Sequence, residues 1–170
     1  MHKIDVRNLF IVGFCFLFVS IPLQAQVKPS VDVRLTHQKV LVGLDNQETF
    51  EPAETAKPGE IIQYTAIYTN QSTSVVRNLR ATLPIPVGLS YVENSAKPAT
   101  VKATVDGEHF DTVPLKRKIK NSDGKEVEEM VPVAEYRKLQ WNIRELLAGE
   151  SVAVSARARV NRATEPSSKP

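Results

Sequence analysis

Two stretches of the chain alternate apolar and polar side chains with a period of two, which is typical of half-buried β-strands. In residues 61–70 the apolar side comprises Ile62, Tyr64, Ala66 and Tyr68. In residues 151–160 it comprises Val152, Val154, Ala156, Ala158 and Val160. A third stretch, residues 75–83, places Leu79, Ala81 and Leu83 in phase. Pro84 ends it, since proline cannot donate to a β-ladder.

The middle of the chain, about residues 101–133, predicts hairpins. Residues 101–105 would meet residues 108–113 across Asp106-Gly107, a strong two-residue turn signal. Residues 115–121 would meet residues 125–131 across a three-residue loop, with Gly124 left-handed. One register of this second hairpin matches charge with charge and apolar with apolar. It pairs Lys120 with Glu126, Lys118 with Glu128, Ile119 with Val127, and Leu115 with Val131.

Residues 134–148 fit two structures. A helix would align Tyr136, Leu139, Ile143 and Leu146 on one stripe, with Gly149 as its C-cap. A strand would instead bury Leu139, Trp141 and Ile143 together. The local pattern leaves both open.

The first 25 residues predict a cleaved secretory signal peptide. Lys3 and Arg7 precede an apolar run from Leu9 to Val19, and the best cleavage position lies between Ala25 and Gln26. A retained membrane anchor is the alternative, but the run is shorter than the ~20 apolar residues that a span requires. Residues 161–170 are polar and predict a disordered tail.

Composition excludes several classes of protein. The chain has 170 residues and a net charge of +3, which gives no reason to expect binding to nucleic acid. Removing residues 1–25 also removes the single cysteine and leaves 145 residues, with 20 basic and 18 acidic side chains. Such an exported domain would depend on its hydrophobic core, without a disulfide. We expect no cofactor and no membrane span after cleavage.

Five segments, in this order and spacing, resemble a known bacterial family. They are Pro58-Gly59-Glu60, residues 64–70, Leu83-Pro84 with residues 88–92, Trp141-Asn142-Ile143, and residues 146–151 with the closing alternating strand that follows them. This set is similar to the "domain of unknown function 11", or conserved repeat domain. The chain departs from that family at Ala81, at Gln71-Ser72 and in its longer middle section.

The resemblance implies an all-β fold, an immunoglobulin-like β-sandwich of about 7–9 antiparallel strands, with an extra hairpin in the middle. Residues 57–160 would form the sandwich, and residues 26–56 would add an N-terminal strand and loop packed on it. The resemblance also favours the strand over the helix in residues 134–148. It implies no catalytic residues, because the family has none in common. The predicted core comprises Ile62, Tyr64, Tyr68, Leu79, Leu83, Leu139, Trp141, Ile143, Val152 and Val154.

The strongest candidate for binding is the charged hairpin. Its residues are Lys116, Arg117, Lys118, Lys120, Glu126, Glu128 and Glu129. Because acidic residues oppose the basic run and no aromatic residue is interleaved, a solvated strand face explains it more simply than nucleic-acid binding. We therefore expect contact with another envelope or surface protein.

Other candidate sites are weaker. Tyr64, Tyr68, Tyr91 and Trp141 are candidates to line a sugar-binding groove, although core packing is the simpler account. Calcium binding at Asp106, Glu108 and Asp111, or at Asp123 and Glu126, lacks the spacing of a known loop.

The sequence thus favours an exported, non-enzymatic module of structure or protein interaction at the cell envelope. A carbohydrate- or envelope-polymer-binding domain is the alternative, and it predicts an exposed aromatic among Tyr91, Phe110 and Tyr136. An enzyme is disfavoured; a cleft that holds both His37 and His109 would favour it.

Overall fold

The computed structural model describes residues 30–162. The predicted signal peptide, its cleavage position between Ala25 and Gln26, and all but two residues of the predicted tail lie outside that range. Within it, no helix has the length and apolar character needed to cross a membrane.

The larger of two packed sheets, sheet A, contains five antiparallel strands. Its strands are β1 (Val31–Val42), β2 (Glu48–Pro52), β3 (Ile61–Asn70), β5 (Leu89–Tyr91) and β11 (Ser151–Val160). Their order across the sheet is β2-β1-β3-β11-β5. The two strands predicted from alternation, β3 and β11, have the predicted bounds and pair side by side at its centre.

Sheet B contains four antiparallel strands. They are β4 (Val76–Pro84), β6 (Lys102–Thr104), β7 (Asp111–Thr112) and β10 (Lys138–Leu146), in the order β4-β10-β6-β7. The remaining strands, β8 (Lys116–Lys120) and β9 (Glu126–Met130), form a separate two-stranded sheet. A short 3₁₀ turn, Val133–Glu135, follows it.

The all-β sandwich is therefore confirmed for the described residues, with nine strands in the two packed sheets and a hairpin beside them. Residues 26–56 were expected to add one strand and a loop, and their described part, residues 30–56, contains two strands of sheet A, β1 and β2. The immunoglobulin-like classification stays a prediction.

One hydrophobic core lies between the two sheets. Six of the predicted core residues are buried: Ile62, Tyr68, Leu83, Leu139, Trp141 and Val154. The other four, Tyr64, Leu79, Ile143 and Val152, are partly buried and pack against the same cluster. Tyr136 and Leu146 also belong to it. The alternating faces of β3 and β11 thus point where the pattern predicted.

The helical alternative for residues 134–148 is wrong. Lys138–Leu146 is the strand β10, which pairs with β4 on one side and β6 on the other. Its Trp141 is 2% exposed, and the indole Nε1 donates to the Pro98 carbonyl over 2.7 Å. A strand buries this large side chain and gives its N–H an acceptor, whereas the helix would have turned it to the polar side.

The predicted two-residue turn at Asp106-Gly107 is also wrong. A turn of that length would place Ala103 opposite Phe110, but β6 and β7 pair Ala103 with Asp111. The connection is longer because Asp106 Oδ1 accepts from the backbone N–H of Glu108 and of His109, at 2.8 and 2.9 Å. The same oxygen accepts from Thr104 Oγ1. These bonds build a side-chain-stabilised loop in place of a tight hairpin.

The β1–β2 hairpin is attached to the rest of sheet A by ion pairs as well as by its ladder. Arg157 on β11 donates to both carboxylate oxygens of Glu48, at 2.7 and 2.6 Å. This bidentate bond lowers the pKa of Glu48 and raises that of Arg157. Lys39 on β1 lies 3.1 Å from Glu60, at the start of β3. These two contacts therefore fix both strands of the hairpin, β2 through Glu48 and β1 through Lys39, to the rest of sheet A.

Tyr68 connects the two sheets through polar bonds. It lies on β3 of sheet A, and its hydroxyl donates to the Thr82 carbonyl on β4 over 2.8 Å. The same hydroxyl accepts from the Thr82 N–H at 2.8 Å. Because β4 is an edge strand of sheet B, its backbone groups at Thr82 need a partner other than a neighbouring strand.

Asn70, at the end of β3, has no exposed surface and makes five side-chain hydrogen bonds. Its Nδ2 donates to the carbonyls of Ser74, Leu146 and Leu147, at 2.7–3.1 Å. Its Oδ1 accepts from the N–H and the hydroxyl of Ser72. One amide thus joins the β3–β4 connection to the β10–β11 turn.

We expect Asn70→Ala to lower the free energy of unfolding by about 2–4 kcal/mol, because several buried backbone groups lose their partners. Urea denaturation followed by circular dichroism measures this. Asn142→Ala, on the exposed side of β10, is the matched control and should change stability by less than about 0.5 kcal/mol. Similar values for both variants would contradict the role of Asn70.

Candidate functional site

The candidate site is the hairpin formed by β8 and β9. Their register pairs Lys118 with Glu128, Ile119 with Val127, and Lys120 with Glu126, as predicted from matched charges. Every residue of β8 is exposed, as are all of β9 except Glu129. Its strands pair with each other and with neither packed sheet. The hairpin is therefore a two-stranded ribbon that projects from the sandwich.

One face of this ribbon is covered by charges. Lys116 Nζ lies 3.2 Å from a Glu128 oxygen, and Lys118 Nζ lies 3.7 Å from a Glu126 oxygen. Both ion pairs are diagonal to the backbone register, which long side chains allow. Since all four side chains are more than half exposed, these pairs contribute little to stability. The row of lysines on β8 and the row of glutamates on β9 are instead available to a binding partner.

The other face carries an apolar stripe interrupted by Arg117, which makes two ion pairs. Leu115 and Val131, at the base, are buried in the core. Ile119 and Val127, nearer the turn, are 36% and 39% exposed. Between them Arg117 bonds Glu129 and also Glu135 of the 3₁₀ turn, at 3.4 and 2.8 Å. The stripe therefore begins in the core and ends in solvent.

A buried tyrosine anchors the base of the hairpin. Tyr136 is 1% exposed, and its hydroxyl accepts from the Leu115 N–H over 2.9 Å. Its ring stacks on Tyr91 with the centroids 6.1 Å apart. The Val131 N–H donates to the Leu115 carbonyl at 2.9 Å, which closes the ladder at the same level. The ribbon thus starts from a fixed position in the core.

The turn of the hairpin is ordered by Asn121, which the sequence analysis did not single out. Its Oδ1 accepts from the N–H groups of Asp123 and Lys125, at 3.1 and 2.9 Å. Gly124 adopts a positive φ of 77°, as predicted. An asparagine three residues before a glycine was the available signal, because Asn side chains commonly satisfy turn backbones.

Asp106, a candidate calcium ligand, has its carboxylate engaged within the protein. Besides the three bonds to Oδ1, Oδ2 lies 2.6 Å from His109 Nδ1. The two backbone bonds, followed by the side-chain bonds, hold the pKa of Asp106 far below its ordinary value. Among residues 30–162 no three His, Cys, Asp or Glu side chains cluster as metal ligands.

The two histidines lie far apart in the topology. His37 is on β1, toward one side of sheet A. His109 is in the connection between β6 and β7, at an edge of sheet B. His37 borders an open groove of about 780 Å³, of which His109 is not part. The cleft that would favour an enzyme is therefore not formed by these residues.

The candidate sugar-binding aromatics are not brought together. Tyr64 borders the same groove as His37, and their rings lie 6.0 Å apart. Trp141 borders a second groove and Tyr91 a third. Tyr91 and Tyr136 are buried, at 3% and 1% exposure, and Phe110 is only partly exposed. None of the three aromatics expected on the surface is thus fully exposed.

Comparison of the sequence with protein-family models, with curated proteins and with solved structures found no match in any of the three. The resemblance to the conserved repeat domain therefore stays a prediction, supported by its motifs alone.

We expect Tyr136→Phe to loosen the hairpin while leaving the sandwich folded, because the buried Leu115 N–H loses its acceptor at a cost of about 1–3 kcal/mol. Hydrogen exchange at Leu115 and Val131 should accelerate. Tyr68→Phe is the contrast, since it removes bonds between the sheets and should accelerate exchange throughout both. Equal protection at the hairpin base in Tyr136→Phe and the unmodified protein would contradict the anchor.

Asp106→Ala should destabilise the protein in a pH-dependent way. Because the folded pKa of Asp106 is lowered, its ionised form stabilises the fold fully above the unfolded pKa of about 3.9. This contribution is lost as the pH falls through the folded pKa. The stability difference between the two proteins should therefore be constant near neutral pH and shrink in acid. A difference that does not shrink, measured by denaturant titration at several pH values, would contradict it.

Proposed function

We propose that the protein is an exported, non-catalytic β-sandwich that acts as a structural or protein-interaction module at the bacterial cell envelope. The contact element is the β8–β9 hairpin. The observation that carries the proposal is this projecting, exposed ribbon on a base anchored in the core.

The N-terminal sequence supports export. Residues 1–25 combine basic residues, an apolar run and a small residue before the proposed cleavage position. The protein recovered from cell envelopes should then begin at Gln26, which mass spectrometry of its N-terminal peptide tests directly. An N-terminus at Met1 would contradict cleavage.

The anchoring of the hairpin supports a role in binding. Both strands are paired, and Tyr136 and Asn121 order the base and the turn. A ribbon ordered before contact loses little conformational entropy when it binds. One face offers a row of lysines beside a row of glutamates, and the other offers two exposed apolar residues, Ile119 and Val127. Such a surface fits a protein with a small apolar patch and charges of the opposite pattern.

The chemistry of the polar side chains supports a non-catalytic role. The Asp106 carboxylate organises its own loop, and His37 and His109 lie at separate places in the fold. The immunoglobulin-like classification and membership of the conserved repeat domain, where spacer and surface roles are usual, belong to the same proposal.

The test is affinity capture of the protein from gently cross-linked envelopes, comparing three forms. The hairpin variant carries Lys116→Glu, Lys118→Glu, Lys120→Glu, Glu126→Lys and Glu128→Lys. It keeps opposite charges across the ladder, so that the hairpin folds, but it inverts the pattern shown to a partner. The control variant carries Arg77→Glu and Glu145→Arg, which invert the exposed β4–β10 ion pair.

A protein captured by the unmodified and control forms, and at least about tenfold less by the hairpin variant, would support the proposal. Equal capture by all three forms would place the contact elsewhere. Circular dichroism of each variant checks that the fold is retained.

Carbohydrate or envelope-polymer binding is the second candidate, favoured by one feature. Tyr64 and His37 flank the groove of about 780 Å³, where an aromatic ring is available for stacking on a sugar. Titration with purified envelope polysaccharide, followed by tyrosine fluorescence, tests it. A saturable change that Tyr64→Leu abolishes would favour this candidate over the first.

A further inference from the structure

Part of β1 is an edge of sheet A. The strand has 12 residues and pairs with β3 from Val31 to Val40. On its other side, β2 pairs only with residues 38–42. Among the strands of residues 30–162, residues 31–37 therefore have a neighbour on one side alone.

The hydrogen bonds at the ends of the β1–β3 and β1–β2 ladders show which backbone groups of β1 point toward the open edge. The Gln71 N–H donates to the Ser30 carbonyl, so even-numbered residues of β1 bond β3. The Gly43 N–H donates to the Gln47 carbonyl, so odd-numbered residues point toward the β2 side. The backbone N–H and C=O groups of Val31, Val33, Leu35 and His37 thus face the open edge.

The side chains of the same residues extend the apolar inner face of sheet A. Val33 lies opposite Tyr68, and Leu35 lies opposite Ala66, both of which belong to the core. Yet Val33 is 52% exposed and Leu35 is 49% exposed. Sheet B therefore does not cover this part of β1.

This edge differs from the edges that β2, β4, β5 and β7 form. β2 is five residues long and ends at Pro52, and β5 and β7 are only three and two residues long. β4 is interrupted by Asn78, whose φ of 53° breaks its regular extension. Short and irregular edges resist the addition of another strand. The edge at residues 31–37 is long and regular, with exposed apolar side chains.

We propose that a second copy of this chain adds to the edge, by antiparallel pairing of the two β1 strands about a two-fold axis at Val33. In this register Val33 lies opposite Val33 of the second copy, and Val31 lies opposite its Leu35. Both are hydrogen-bonded pairs, since odd-numbered residues face the edge in each copy. The apolar side chains of the two inner faces then adjoin.

Charge selects this register and this occupant. It places Asp32 of each copy directly opposite Arg34 of the other, on the outer face, and Ser30 opposite Thr36. If the two-fold axis is moved to residue 34, Arg34 lies opposite Arg34 of the second copy. If it is moved to residue 32, Asp32 lies opposite Asp32 of the second copy. Like charges directly opposite destabilise a ladder, whereas opposite charges stabilise it. The segment is thus complementary to itself in one register.

The structure also sets the length of the ladder. Pro52 of β2 pairs with Gln38, so β2 occupies the edge from that residue onward. The shared ladder therefore runs over residues 30–36 of each copy. This pairing does not involve the hairpin of the proposed function, and it stands or falls separately from it.

The test is sedimentation velocity of the exported protein over about a hundredfold range of concentration, since self-association follows mass action. The unmodified protein should form a dimer. Asp32→Arg and Arg34→Asp should each weaken dimerisation by about tenfold or more, because each opposes like charges twice. An equimolar mixture of these two variants should restore the dimer, and so should the double variant that carries both substitutions.

Val33→Pro provides a second test, because it removes an N–H that faces the edge and not one that bonds β3. It should abolish the dimer while circular dichroism shows a retained fold. Glu54→Arg and Arg144→Asp are the matched controls, as they make the same charge changes at exposed positions outside β1, and they should leave the dimer unchanged.

A protein that stays monomeric at the highest concentration would overturn the proposal. A dimer that persists in Val33→Pro would place the interface elsewhere and overturn it equally. So would a dimer that the single charge changes weaken but the mixture and the double variant fail to restore.

Discussion

The side chain of Asn70 is the interaction on which the rest of the fold depends. A fully buried amide must satisfy both its N–H groups and its oxygen within the protein, and Asn70 does so with five bonds. These bonds hold the exit of β3 against the β10–β11 turn, so that the central strands of both sheets are positioned by one residue. Two residues earlier, Tyr68 bonds the backbone of Thr82 across the core. The end of β3 thereby determines how sheet A lies on sheet B.

The two sheets that these bonds join differ in extent. Sheet A has five strands and sheet B four, of which β6 and β7 are short. Sheet B therefore leaves Val33 and Leu35 of β1 half exposed. The β8–β9 hairpin, which joins neither sheet, projects from the Tyr136 anchor instead. Both surfaces to which we assign binding thus arise where the sandwich is incomplete, and both rest on groups held firmly by the core.

The two predicted hairpins show what local sequence determines. In the second, the residues across the turn match in charge and in polarity, so only one register satisfies them, and that register is observed. In the first, Asp106-Gly107 is a strong turn signal, yet the Asp106 carboxylate accepts several nearby donors and builds a longer loop. An Asp-Gly dipeptide indicates a type of tight turn. The hydrogen bonds of the Asp106 carboxylate, however, depend on how Thr104 and His109 lie around it.

The sequence by itself determined the all-β class, the bounds of β3 and β11, and the face that each buries, because alternation with a period of two is a local property. Residues 138–146 were locally ambiguous, and only the tertiary structure decided for a strand: the centre of sheet B required one, and burial of Trp141 required an acceptor at Pro98. The same holds for the role of Asn70 and for the open edge of β1. A single residue's hydrogen-bond partners, and the part of a sheet that its opposing sheet leaves uncovered, depend on contacts between segments far apart in the chain.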